Sequence, residues 1–107
     1  MTPPNYYELV YAVTRKIPYG RISTYGAIAD YLALGSARMV GWALNKSFSG
    51  ADVPAHRVVN RKGELSGRNH FPTPTLMQEL LENEGIKVID NVIQNFESHL
   101  WIPADEL

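Results

Sequence analysis

From Tyr7 onward, apolar positions recur every three or four residues. Tyr7, Val10, Tyr11 and Thr14 form a stripe that Leu9 and Val13 widen, so "PPNYYELVYAVTRKIPYG" predicts an amphipathic helix. Pro3 and Pro4 suit its first turn, where a missing N–H costs nothing, and Pro18-Tyr19-Gly20 ends it. The period then restarts twice within "ISTYGAIADYLALGSARMVGWALNKSF". Ser23 or Thr24 caps the first of these helices, Ala27, Ile28, Tyr31 and Leu32 form its inner face, and Gly35 supplies the left-handed residue that stops it. Ser36 caps the second, which turns Val40, Ala43 and Leu44 inward and leaves Arg38, Met39, Trp42 and Asn45 on the opposite side. Two helices joined by a tight glycine-containing turn predict a helix-turn-helix.

Beyond Phe48 the periodicity fades. The segment to Pro74 is rich in Gly, Pro and polar residues, with one β-like core, "HRVV", and a turn at "NRKGE". It is long for a loop in a compact domain, and such loops usually carry function. Helical spacing returns in "TPTLMQELLENEGI": Thr75 caps, Leu76, Met77, Leu80 and Leu81 pack, and Gly85 terminates. A small hairpin around Asp90-Asn91 and an apolar anchor at "HLWIP" complete the chain. At 107 residues these elements amount to one small, mainly helical α/β domain.

Composition narrows the chemistry. The chain has no cysteine, which excludes disulfides, thiolate metal sites and a sulfur nucleophile. The net charge of −1 conceals a division: residues 15–68 hold Arg15, Lys16, Arg21, Arg38, Lys46, Arg57, Arg61, Lys62 and Arg68 against Asp30, Asp52 and Glu64, while the remainder is acidic. Such a split suggests a face for a polyanion, with ordinary solvated charge as the alternative. No signal-peptide pattern and no apolar run of membrane length appear, so a cytosolic protein is expected, nucleoid-associated in a bacterium or nuclear in a eukaryote.

The stretch "VPAHRVV", Val53 to Val59, sets His56 and Arg57 beside a proline, as a reactive loop would, yet Ala55 before them offers only a methyl group. Together with "GRISTYGAIADYL", "SARMVGWALN", "GELSG" and "LLENEGI", it resembles the DNA-binding and active-site half of the O6-alkylguanine-DNA alkyltransferases over about Tyr6 to Trp101. In those enzymes the loop reads Pro-Cys-His-Arg and the cysteine takes the alkyl group. Alanine at that place resembles the alkyltransferase-like proteins, which lack the nucleophile. The resemblance implies the alkyltransferase C-terminal-domain fold, with a winged-helix-like helix-turn-helix.

It also implies roles. Arg38 is inserted into the duplex to fill the gap left by a flipped base, Tyr25 presses on the target phosphate and bonds to the guanine ring nitrogen, and the small residues Ala37, Gly41 and Ala43 let the helix approach the minor groove. Trp42 and Asn45 face the same region, Asn45 as a support for the loop and Trp42 with burial as its alternative. A lesion pocket is implied from Val53, Pro54, a strand running from Ala55 through His56 to Val59, and the "GELSGR" loop, with backbone groups around Val59 and Ser66 toward the guanine edge. Arg68 lies over its mouth or, equally, on a phosphate. Glu84 partners His56 through a water, and Arg57 braces the loop from below. The implied partner is double-stranded DNA containing O6-alkylguanine, bound by a monomer without cofactor or metal and then recognised by nucleotide excision repair proteins. An enzyme working through His56 and Glu84, and a sequence-specific helix-turn-helix regulator, are the rival readings.

Overall fold

The computed structural model describes residues 6–107; Pro3 and Pro4, expected in the first helical turn, lie outside the described residues. Helix α1 (Tyr6–Arg15) buries Val10, Tyr11, Val13 and Thr14, and the Tyr11 hydroxyl donates to the Ala43 carbonyl at 2.7 Å, tying α1 to the third helix. Leu9, assigned to the apolar stripe, is instead 52% exposed.

Strand β1 (Ser23–Thr24) leads directly into α2 (Tyr25–Tyr31), where the Thr24 hydroxyl accepts the Ala27 N–H at 3.0 Å and so caps the helix. Ile28 and Ala29 supply its buried face, whereas Tyr31 is 40% exposed rather than inward. The helix ends earlier than Gly35: Ala33 takes the left-handed conformation at φ 56°, with the Leu34 N–H bonded to the Ala29 carbonyl. Helix α3 (Ala37–Ser47) packs on α1 and α2 through Val40, Ala43 and Leu44, so Ala43, counted among the small residues facing a groove, is fully buried in the core instead. Ser36 holds its N-cap position without a side-chain hydrogen bond. The α2–α3 pair is the expected helix-turn-helix.

The "HRVV" segment is not a continuous strand. Pro54, at φ −76° and ψ 66°, centres an inverse γ-turn closed by the Ala55 N–H on the Val53 carbonyl at 2.8 Å. A single 3₁₀ turn over Ala55–Arg57 follows, and only Val58–Val59 form a strand, β2, parallel to β1 in the register Ser23–Val58 and Thr24–Val59. Successive strand residues point to opposite faces. Val58 thus enters a core with Val10, Ile28, Val40 and Trp101, and Val59 enters a second with Ile22, Leu65, Met77 and Leu81.

A second 3₁₀ turn, Arg68–His70, leads to Phe71, which packs on both cores and meets Phe48 edge-on at 4.8 Å. Helix α4 (Leu76–Asn83) buries Met77 and Leu81. The Thr75 hydroxyl donates to Glu79 instead of capping a backbone N–H. Strands β3 (Val88–Ile89) and β4 (Val92–Ile93) form the expected hairpin, Asp90 and Asn91 taking the positive φ values that a tight two-residue turn requires. Short helices α5 (Phe96–His99) and α6 (Pro103–Glu106) flank the buried Trp101. No helix among the described residues is long and apolar enough to cross a membrane.

Candidate nucleic-acid interface

Helix α3 presents a nearly bare outer face. Tyr25, Ala37, Arg38, Gly41, Trp42 and Asn45 line one hollow of about 410 Å³. Trp42 is 52% exposed there, so it belongs to this surface and not to the core. A methyl group built on Gly41 would meet nothing within 4 Å, which leaves the helix backbone open to an approaching partner. Asn45 lines the same hollow and makes no hydrogen bond to the following loop, so it does not support that loop as expected. The turn after α3 is instead closed by backbone bonds, the Gly50 and Ala51 N–H groups donating to the Ser47 carbonyl.

Tyr25 is also a wall of a second hollow, about 430 Å³, shared with Gly26, Ala37, Asn60 and Arg61. The sequence offered one signal for this part of the surface, the charge run that includes Arg61, but nothing in it places the 60–64 turn beside α2. Burial raises the Tyr25 phenol above its ordinary range, and the Ser66 hydroxyl opposes that shift by hydrogen bonding.

The basic stretch divides by use. Arg21 donates to the carbonyls of His99 and Leu100, Arg15 to that of Asp52, Arg68 to that of Leu65, and Arg57 is ion-paired. The side chains of Lys16, Arg38, Lys46, Arg61 and Lys62 have no hydrogen-bond or ion-pair partner among the described residues and are the cations available to a polyanion.

The loop carrying Ala55 is locked by one carboxylate. The 3₁₀ turn swings His56 and Arg57 toward the end of α4, where the His56 Nε2–H donates to Glu84 Oε2 at 2.6 Å; contact is direct, with no room taken by the bridging water expected. Arg57 Nε reaches both carboxylate oxygens at 3.1 Å, its Nη1 donates to the Ile17 carbonyl at 2.9 Å, and the Gly20 N–H donates to Glu84 Oε1 at 2.7 Å. Tyr19 lies 5.8 Å from the guanidinium and donates its hydroxyl to the Asn83 carbonyl. Burial pushes the Glu84 carboxyl up, but Arg57, the Gly20 amide and His56 together hold it below its ordinary value. Burial pushes His56 down and outweighs the upward pull of Glu84. The imidazole is therefore neutral near pH 7, its Nε2–H fixed by Glu84, and the group it follows in the chain is the Ala55 methyl. Ala55 itself offers this imidazole no thiol or hydroxyl to deprotonate.

The residues expected to wall a lesion pocket do not all come together. Val53, Pro54 and His56 line a concavity of about 510 Å³, but its other walls are Arg15, Asp52 and Arg57. Ala55 is 8% exposed, and the Val59 side chain is fully buried because its strand position turns it into the second core, so that side chain is not a wall. Ser66 and Arg68 stand on the turn after Glu64 and are not walls of that concavity either.

Residues 5–86 match the family described as 6-O-methylguanine DNA methyltransferase, DNA-binding domain. The chain belongs to that family. It is 34% identical over 108 residues to alkyltransferase-like protein 1 of Schizosaccharomyces pombe, covering 96% of this chain and all of that protein. It is 36% identical over 97 residues to the DNA base-flipping protein of Vibrio parahaemolyticus, covering 88% of this chain and 93% of the relative. The crystal structure of the S. pombe protein with damaged DNA containing O6-carboxymethylguanine superposes with a TM-score of 0.82 at 33% identity, over 94% of this chain and 98% of that one. The fold, a small mainly helical domain with six helices among the described residues, is thus that of the family's DNA-binding part, and the chain is alkyltransferase-like.

Proposed function

We propose that this protein binds duplex DNA carrying an O6-alkylguanine, rotates the modified nucleotide out of the stack, and holds it without accepting the alkyl group. The observation that carries this reading is the placement of Arg38, a cation with no partner among the described residues, across one hollow from Tyr25 on a helix whose Gly41 backbone is uncovered. A guanidinium plane can stack in the space a flipped base leaves and bond to its orphaned partner. The exposed Trp42 beside it adds an aromatic surface. Extrusion costs a few kcal/mol, least where pairing is already weak; O6-alkylation removes the guanine N1 proton and so reduces that cost. The likeness to a protein crystallised on O6-carboxymethylguanine DNA supports the same substrate class.

Ala55 stands where the sequence resemblance puts the transferring cysteine, and no cysteine occurs anywhere in the chain. The chemistry then stops at recognition, and the bound, distorted duplex serves as a mark for nucleotide excision repair. The test uses matched duplexes with guanine or O6-methylguanine at one position, the methyl group isotopically labelled. Preferential binding of the modified duplex, with the label remaining on DNA, is the expected result. Equal affinity for both duplexes, or label in protein or water, overturns the reading. Raised incision by excision-repair proteins on adding this protein tests the marking step.

A further inference from the structure

The turn that follows Glu64 contains a glycine its backbone does not need. The Arg68 N–H closes a type I turn on the Leu65 carbonyl at 3.2 Å, and Gly67, at φ −90° and ψ 4°, occupies the third position of that turn, where most residues fit. A Cβ built there would lie 2.7 Å from the Tyr25 hydroxyl oxygen and meets nothing else within 4 Å. Ordinary carbon–oxygen contacts begin well beyond that distance. The missing side chain therefore makes room for one atom, the phenolic oxygen of a tyrosine that walls both hollows of the α2–α3 face.

We infer that Gly67 is a positioning residue: it admits the Tyr25 hydroxyl against the Ser66-Gly67 turn and so sets where that hydroxyl stands toward a bound nucleotide. The inference rests on the function proposed above for its consequence in DNA binding, but its steric core concerns the free protein. A methyl at position 67 displaces the far end of the Tyr25 ring and leaves the turn itself intact, so it alters geometry more than stability.

The test is a double-mutant cycle of Gly67→Ala and Tyr25→Phe with two readouts. In the free protein, the Cζ NMR signal and the phenol titration of Tyr25 are followed with labelled tyrosine; Gly67→Ala is expected to move both while the urea midpoint stays near that of the parent. An unmoved Tyr25 signal overturns the inference whatever the DNA result. On DNA, Gly67→Ala is expected to lower the preference for O6-methylguanine over guanine about tenfold, the order of one hydrogen bond lost to a buried polar group. In the Tyr25→Phe background it changes the preference little, because the atom it collides with is gone. Equal losses in both backgrounds, or a fall in stability of the size of the binding loss, overturn the positioning role. A parent protein with no preference between the duplexes instead defeats the proposed function, and the NMR arm still decides the contact.

Discussion

Replacing Glu84 by glutamine keeps the shape of the side chain and removes its charge. In the native fold the carboxylate accepts from the His56 Nε2–H, from Arg57 and from the Gly20 N–H, and only 5% of its side chain is exposed. An amide has one oxygen to meet these donors and turns its own N–H groups toward the rest, leaving Arg57, whose side chain is 16% exposed, without its counter-ion. Breaking one side of a buried ion pair costs about 3–5 kcal/mol. His56 can relieve part of this by moving its proton to Nδ1 and accepting from the amide, so the low end, about 3 kcal/mol, is expected for Glu84→Gln. At about 4–8 °C per kcal/mol for a domain of this size, that is a fall in Tm of at least about 12 °C, read by circular dichroism and checked by urea titration. The same cluster sets the acid side of the stability curve. His56 has a folded pKa below its ordinary 6.5, so below pH 6.5 the unfolded chain takes up the proton first and stability falls. Glu84 has a folded pKa below its ordinary 4.5, so the stability it confers is complete above that pH and is lost as the pH drops through the folded value. Glu84→Gln is expected to abolish the second decline. A variant that melts within about 2 °C of the parent, or that keeps the same loss below pH 4.5, would show that the carboxylate does not lock the loop.

Arg38→Ala is expected to weaken binding to the modified duplex by about 1–3 kcal/mol, the worth of one stacked base, with Tm unchanged; undiminished affinity in a fluorescence-anisotropy titration rules out an inserted arginine. Arg61→Ala should lower affinity for modified and plain duplexes alike and reduce the slope of log K against log salt by about one phosphate's contribution, and a slope equal to the parent's rejects Arg61 as a backbone contact. Ala33→Gly removes a side chain from a left-handed residue at φ 56° and is expected to raise stability by up to about 1 kcal/mol; destabilisation in urea would contradict that strain. Ala55→Cys places a thiol next to His56 and Glu84, and intact-protein mass spectrometry is expected to find slow methyl uptake from O6-methylguanine DNA where the parent shows none.

The helices were legible because their evidence is local. Apolar spacing in α1, α3 and α4 and the turn chemistry of Asp90-Asn91 each lie within about a dozen consecutive residues, and the structure follows them. The errors arose where a local signal competed with packing. Gly35 is the obvious left-handed residue, but the Leu34 N–H finds the Ala29 carbonyl, and Ala33, two residues before Gly35, bears the positive φ. "HRVV" has strand propensity, but the Pro54 turn and the pull of Glu84 curl its first half, and only the two valines reach β1.

By itself the sequence determined which chemistry is possible: a loop with a base and no nucleophile, a helix with an arginine near its start, and a cation-rich stretch. Only the tertiary structure decided how these parts are used. Partners distant in sequence, Arg57 and Glu84, His99 and Arg21, meet across the fold, and their meeting separates structural cations from free ones. The closeness of Gly67 to Tyr25 belongs to the same class, since two residues separated by the rest of α2, α3, the 3₁₀ turn, β2 and the 60–64 turn become neighbours only when their elements pack. Periodicity and composition are properties of neighbours along the chain, whereas charge pairing and steric fit are properties of neighbours in space.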